Sequence, residues 1–296
     1  MASTGLAWAP AAQALLGGQG HQDPKPDSPW ASVGSLEVNG QLYTATLIDA
    51  QHVLSAAHVV GHPDPKRLVF RSPLHGGLVV PGQAVYTCPA YSTSRALNVP
   101  GDPTIHGDLA VVKLAHPVPD AWVPLPIFNG PLLGHTITLV SHHASTSLIT
   151  VGENQVDLVF NNTLGRPATY LFDYDGPDLA SNLLGPAVPA NGSLGAQREA
   201  TLQQGDSGSA ALLWFNDRWW LAGINAFQLQ MTRKPAAPGA PAPTGPVQGQ
   251  AAGGIVLGEQ LQWLRQVMAG EVAAQPAPKP VVPVPAGRTK AAEPST

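Results

Sequence analysis

The 296-residue sequence predicts an all-β protein with a single convincing helix, and three observations carry that expectation. Short runs rich in Val, Ile, Leu, Thr and aromatics recur from Ser32 to Leu257, broken by Gly, Pro, Asn and Asp. Glycine and proline each occur 31 times, about a fifth of the chain together, which favours turns over long helices. No internal repeat of fixed period points to a propeller. About eleven strands in a chain of this length fit barrels or sandwiches.

The expected strands are Ser32–Val38, Gln41–Ile48, Gly77–Tyr86, Leu109–Leu114, Thr136–Ser141 and Ser147–Val151, followed by Val156–Phe160, Ala168–Phe172, Ser209–Trp214, Trp219–Ile224 and Gly254–Leu257. Asn216-Asp217 reads as the hairpin turn between the Leu212–Trp214 and Trp219–Leu221 runs. Glu259–Met268 reads as a helix with Leu261, Leu264, Val267 and Met268 on one face and Gly270 as its stop.

The remaining segments divide the chain. Residues 1–28 form an N-terminal extension or processed segment. Its first sixteen residues carry no side-chain charge, and Ala12-Gln13-Ala14 has the small-x-small form that a signal peptidase reads. Both a trimmed export signal and a flexible start fit. Residues 116–132, with Pro117, Pro119, Pro124 and Pro126, form a linker between two β units at 29–115 and 133–270. Lys234–Gln250 holds five prolines and reads as an irregular insertion, and residues 271–296 as a disordered Pro/Ala-rich tail.

Composition excludes several classes. Apolar residues make up 44% and charged ones 11%, so the whole chain is not a charge-driven disordered polymer. A net charge of −4 without a basic block argues against nucleic acid as the main partner. No run reaches the ~18 apolar residues of a membrane span, so a soluble protein is expected. A single cysteine, Cys88, rules out an intrachain disulfide and a multi-cysteine zinc site.

Chemistry concentrates in three fragments. Gly205-Asp206-Ser207-Gly208-Ser209 can set a serine on a tight turn with free backbone N–H groups beside it. It departs from the Gly-x-Ser-x-Gly elbow because residue 209 is serine. A serine nucleophile needs a base, and the base an orienting acid. His58 ends the run Val53-Leu54-Ser55-Ala56-Ala57-His58, whose small residues leave room for an imidazole, and Asp108 stands at the mouth of the apolar run Leu109–Leu114. Taken singly, His58 reads better as a satisfied core histidine and Asp108 as a turn aspartate.

The order His58, Asp108, Ser207 resembles the trypsin/chymotrypsin-like serine protease family. Leu54-Ser55-Ala56-Ala57-His58 is similar to its histidine motif, Gly107-Asp108-Leu109-Ala110 to its aspartate motif and Gly205-Asp206-Ser207-Gly208 to its serine motif. The likeness continues in Gly223-Ile224 and Gln262-Trp263-Leu264-Arg265 and spans roughly Pro29 to Met268. Leu171–Asp178 with Glu199-Ala200-Thr201 resembles a bacterial secreted branch.

The resemblance implies two antiparallel β-barrels of the chymotrypsin type with a C-terminal helix and the site between them. It also implies a secreted or periplasmic serine endopeptidase with a polypeptide substrate and no cofactor. His58 is the implied general base, Asp108 its orienting acid, and the N–H groups of Gly205 and Ser207 the oxyanion hole. Thr201, six residues before Ser207, falls at the base of the implied primary pocket, with Ala226, Phe227 and Gln228 along its wall. A neutral base there implies cleavage after uncharged, small to medium residues, and Gln228 in place of a usual glycine narrows the entrance.

Asp206 is the implied support of the oxyanion loop. Either Leu15 of Leu15-Leu16-Gly17-Gly18, freed by removal of residues 1–14, pairs with it, or internal groups satisfy it. The chain also departs from the family. Val59 replaces the cysteine after the histidine, and Ala226 replaces a serine that gives its hydroxyl to the aspartate. Either Asp108 is less well satisfied, or Asn225 supplies the donor. These departures keep two rivals open, a protease-like binding module without turnover and an esterase with the same triad.

Weaker signals complete the reading. His142-His143 fits exposed imidazoles better than a metal pair, because neighbours on a strand point to opposite faces. Asp173, Asp175 and Asp178 alternate as in calcium loops but lack the glycine and terminal glutamate of an EF-hand, so a polar turn is preferred. Asn161-Asn162-Thr163 and Asn191-Gly192-Ser193 are glycosylation acceptors only in a eukaryotic secretory setting. Trp219-Trp220 reads as one barrel side chain and one surface aromatic.

Overall fold

The structure, a computed structural model, describes residues 14–22, 28–61, 64–72, 77–91, 107–119, 124–142, 148–175, 182–184, 192–195, 197–233 and 247–276. The expected disordered tail beyond residue 276, the centre of the Pro-rich insertion at 234–246, and residues Asp178, His143 and Asn191 lie outside the described residues.

A short strand β1 (Gln19–Gln22) precedes the first unit. That unit is built from β2 (Val33–Val38), β3 (Gln41–Leu47), β4 (His52–Ser55), β5 (Leu68–Ser72), β6 (Leu78–Thr87) and β7 (Ala110–Leu114). They close into an antiparallel barrel in the order β2-β3-β4-β7-β6-β5. The β2–β3 turn is Asn39-Gly40, with φ of 51° and 81°, the left-handed pair that matches the twist of a tight hairpin. β7 shows the two-residue period of a strand. Val112 and Leu114 face the barrel core beside Leu36, Leu47 and Phe70, while Val111 points the other way.

The second unit comprises β8 (Thr136–Ser141), β9 (Leu148–Gln155), β10 (Leu158–Asn161), β11 (Pro167–Asp173), β12 (Ala210–Phe215), β13 (Arg218–Arg233) and β14 (Val247–Val256). With β1 they form an eight-stranded sheet in the order β1-β9-β8-β12-β13-β14-β11-β10. Asn154 of β9 reaches the carbonyl of Asp173 on β11 at 2.8 Å, so a side chain joins these non-neighbouring strands. Tyr170, Phe172, Ile137, Leu139 and Leu213 fill this unit's core. Leu54 and Val111 of the first unit meet Val140, Ala210, Leu212 and Ile224 of the second in a shared apolar layer.

The expected mostly β fold of two antiparallel units with a C-terminal helix is present, the first unit as a closed barrel and the second, with β1, as an eight-stranded sheet. Several details differ from the sequence expectation. β1, β4 and β5 were not among the expected strands, since four or five residues with interspersed polar side chains give little periodic signal. β13 runs sixteen residues rather than six and pairs along the whole of β14, Arg233 lying opposite Val247. β14 begins inside the stretch expected to be irregular, immediately after Pro246, where backbone N–H donors return.

Two α-helices lie among the described residues: α1 (Ala57–Val60) follows β4, and α2 (Leu257–Met268) follows β14. α2 starts two residues earlier than expected and buries Leu257, Trp263, Leu264 and Val267. Leu261 and Met268, expected on that face, are only partly buried, because the indole of Trp263 sets which side meets the shared layer.

Candidate active site

His58 stands on α1, a single turn whose other members Ala57, Val59 and Val60 are buried. This anchors the backbone while the imidazole side chain stays 35% exposed. Asp108 precedes β7 and grips His58 twice. Its Oδ1 accepts the His58 main-chain N–H at 2.9 Å, and its Oδ2 lies 2.7 Å from Nδ1. A carboxylate can only accept, so Nδ1 carries a hydrogen, and in the neutral imidazole the lone pair is then on Nε2. Gly107 permits this approach, since a Cβ there would come within 2.3 Å of the main chain at Ala90 and Tyr91. Tyr91 borders Asp108, and burial, followed by the charge of Asp108, raises its phenol above the ordinary range.

Ser207 lies on the turn between Gly205 and Gly208, whose φ values are 99° and 90°. Both require the left-handed freedom of glycine. At Gly208 the space is also closed, because a Cβ would meet the Thr44 carbonyl oxygen at 2.0 Å and Ser55 Oγ at 2.2 Å. The amides of Asp206, Gly208 and Ser209 donate to Gln203, Asn225 and Asp206. Among the described residues, no backbone carbonyl accepts from Gly205 or Ser207. Those two donors are thus available to a developing oxyanion.

His58, Asp108, Gly205 and Ser207 line one cleft of about 560 Å³, and Ala226, Phe227 and Gln228 belong to the same lining. Tyr43, Leu202, Gln203 and Gln204 complete the lining. Tyr43 carried no signal in the sequence, as its place depends on the β2–β3 hairpin. Thr201, expected at the base of the pocket, is not among the residues lining this cleft; it is 1% exposed and exchanges main-chain hydrogen bonds of 2.9 Å with Leu16. Its Oγ1 is buried without a hydrogen-bond partner.

Ala226 is buried and brings no hydroxyl. Asn225 does not supply the missing donor. Its Nδ2 reaches Ser209 Oγ at 2.8 Å and its Oδ1 accepts from the Tyr170 hydroxyl at 2.7 Å. Asp206 is fully buried and accepts the main-chain N–H groups of Leu15 at 3.0 Å and Gln203 at 2.7 Å. A chain still joined to Ala14 therefore already brings Leu15 to Asp206.

A set of buried acidic residues ties together several segments that precede Thr201 in the chain. Asp173 Oδ2 accepts the amides of Leu183 and Leu184, at 2.7 and 3.0 Å. Glu199 accepts those of Asp175 and Leu194, at 2.5 and 2.7 Å. Asp157 Oδ2 accepts the amide of Asp173 at 3.1 Å. Burial, helped by the neighbouring Asp173 charge, pushes Asp157 up to about 8 and Asp175 to about 6. Burial likewise raises Glu199 to about 7, with the Asp175 charge adding to it. Asp173 and Asp175 are visible in the sequence as an alternating pair and Glu199 within Glu199-Ala200-Thr201, but Asp157 gives no signal.

The other candidates lie apart from the cleft lining. His142 is buried, its main-chain N–H donating to Thr44 Oγ1 at 3.3 Å. Trp219 packs edge-on against Trp30 and Trp214, and Trp220 against Phe128.

The family model for trypsin matches residues 18–152. No curated protein matches the chain. Among solved structures, a scabies mite inactivated protease paralogue, S-I1, is 16% identical with a TM-score of 0.52, covering 85% of this chain and 99% of that one. Neuropsin, a serine protease expressed in the limbic system of mouse brain, is 15% identical with a TM-score of 0.50, covering 84% and 99%. A Glu endopeptidase in complex with MPD is 15% identical with a TM-score of 0.50, covering 82% and 93%. At these identities the structures speak for the fold.

Proposed function

The chain belongs to the trypsin/chymotrypsin-like serine protease family, and from that premise we propose that it is a serine endopeptidase working through an acyl-enzyme. The observation that carries this reading is the double grip of Asp108 on His58 in the same cleft as Ser207 and two uncommitted amides.

In this mechanism Ser207 Oγ attacks the scissile carbonyl carbon and its proton passes to His58 Nε2. Asp108 holds the ring tautomer and stabilises the imidazolium. The carbonyl oxygen, now an anion, takes the N–H groups of Gly205 and Ser207, each worth ~3–4 kcal/mol in comparable sites. His58 then protonates the leaving amine, and water, deprotonated by the same imidazole, hydrolyses the ester. The site needs no metal or organic cofactor for these steps.

The cleft lining supports a preference for uncharged residues before the cut. Asp108 is its one carboxylate among the described residues, and that group is occupied by His58. Leu202, Phe227 and Ala226 offer apolar contact, with Gln203 and Gln228 as neutral polar groups. A peptide-library profile dominated by Lys and Arg would contradict this. No described helix is long and apolar enough to cross a membrane. Export to the periplasm or medium belongs to this proposal and is tested by fractionating cells that express the full chain.

Ala226 favours a second reading, a binding module that keeps the fold and has lost turnover, since Asp108 receives no hydroxyl from that strand. Peptide hydrolysis by the purified protein, abolished in Ser207→Ala with an unchanged thermal midpoint, supports the protease. Equal activity in Ser207→Ala overturns it.

A further inference from the structure

The oxyanion loop is also tied, through Ser141 of the second unit, to Thr44 of the first barrel. Asp206 Oδ1 accepts from Ser141 Oγ, the last residue of β8, at 2.5 Å. A hydroxyl has one hydrogen, so with it directed to Asp206 the Ser141 oxygen can only accept. Thr44 Oγ1 lies 2.9 Å away and is therefore the donor to Ser141. Thr44 Oγ1 in turn accepts the main-chain N–H of His142 at 3.3 Å. The chain of donation runs His142 N–H, Thr44 hydroxyl, Ser141 hydroxyl, Asp206 carboxylate.

Thr44 also touches the nucleophile's own backbone. Its N–H donates to the Ser207 carbonyl at 3.3 Å, and its carbonyl accepts from Ser55 Oγ at 3.0 Å. One residue of β3 thus holds Ser207 through the main chain and Asp206 through Ser141. Thr44, Ser141 and Asp206 are each 0% exposed. Water does not compete at such depth, and hydroxyls aligned in one direction polarise one another.

We infer that Ser141 and Thr44 are positioning residues, a hydroxyl relay that fixes the Gly205–Ser207 loop in its oxyanion-binding form by tying Asp206 to the first barrel. This rests on the serine-hydrolase reading of the same site. Removing the Ser141 hydroxyl takes one donor from a buried carboxylate, and the loop shifts to replace it. The amides of Gly205 and Ser207 move with it, so the loss falls on the transition state more than on substrate binding.

The test uses the full chain and four variants, Ser141→Ala, Ser141→Thr, Thr44→Val and Thr44→Ser. In peptide hydrolysis, Ser141→Ala and Thr44→Val should lower kcat about 10–100-fold with KM within about threefold. Ser141→Thr and Thr44→Ser, which keep a hydroxyl, should recover most of it. Amide hydrogen exchange over residues 203–208 should quicken in the same two deficient variants. Wild-type kcat together with unchanged exchange in both overturns the relay. Should Ser141→Ala not fold, Thr44→Val, which preserves side-chain shape, gives the decision. A wild-type protein without turnover defeats the protease reading, and the exchange comparison then still decides whether the relay holds the loop.

Discussion

Leu15 donates its main-chain amide to Asp206 across 3.0 Å, although 191 positions separate the two in sequence. The neighbouring Leu16 pairs with Thr201 in both directions. The segment from Leu15 to Gly18 is thereby built into the floor beneath the nucleophile. With Gln203 N–H and Ser141 Oγ as further donors, Asp206 holds three hydrogen bonds from neutral groups while the chain upstream remains attached.

The first prediction follows from those bonds. A protein carrying all of residues 1–14 should hydrolyse peptides without prior cutting. Replacing Leu15 by proline removes the donor N–H and should lower kcat by about tenfold or more. N-terminal sequencing of the active species checks the point. Activity confined to molecules that begin at Leu15 would show that Asp206 needs an ammonium rather than an amide.

A second prediction concerns the coupling of Ser207 and His58. Each alone is without use to the reaction, since the base has nothing to deprotonate and the nucleophile nothing to activate it. Ser207→Ala and His58→Ala should each reduce kcat/KM by several orders of magnitude, and the double variant should be no slower than either single one. Additive losses would mean that the two side chains act in separate processes.

The third prediction is a pH dependence of stability. Asp157, Asp175 and Glu199 have carboxyls raised to about 8, about 6 and about 7, from ordinary values of 3.8, 3.8 and 4.5. The folded protein therefore holds protons that the unfolded chain has released, and stability declines as pH rises between the two sets of values. The thermal midpoint should be highest below about pH 4 as far as these groups decide it. It should fall from about pH 4 to about 8, most steeply before the first of them ionises in the fold near 6, and level off above about 8. Asp157→Asn keeps the shape of the group without its ionisation and should flatten the upper part of the fall. A midpoint rising steadily from pH 5 to 8 would contradict the burial of these carboxyls.

What the sequence disclosed depended on how local each signal was. His58, Asp108 and Ser207 were legible because each sits in a short run of small or glycine residues whose steric reason is local. The fold shows that reason in the closed space at Gly107 and Gly208. The hairpin turn at Asn216-Asp217 was legible for the same cause, both residues adopting positive φ. Strand β5 was hidden because its alternating burial spans only Leu68–Ser72. The relay was hidden because Ser141 stands 97 positions from Thr44 and 65 from Asp206, and neither hydroxyl differs in sequence from any strand serine or threonine. Asn225 was read as a possible donor to Asp108, but the Tyr170 hydroxyl and Ser209, brought close by pairing of β12, β13, β14 and β11, claim its amide.

The most direct measurement is labelling of the purified protein with an active-site-directed fluorophosphonate, the adduct located by mass spectrometry. A triad of His58, Asp108 and Ser207 requires one adduct per molecule on Ser207, lost in His58→Ala and in denatured protein. An unlabelled folded protein, or an adduct on any other residue, would contradict the triad.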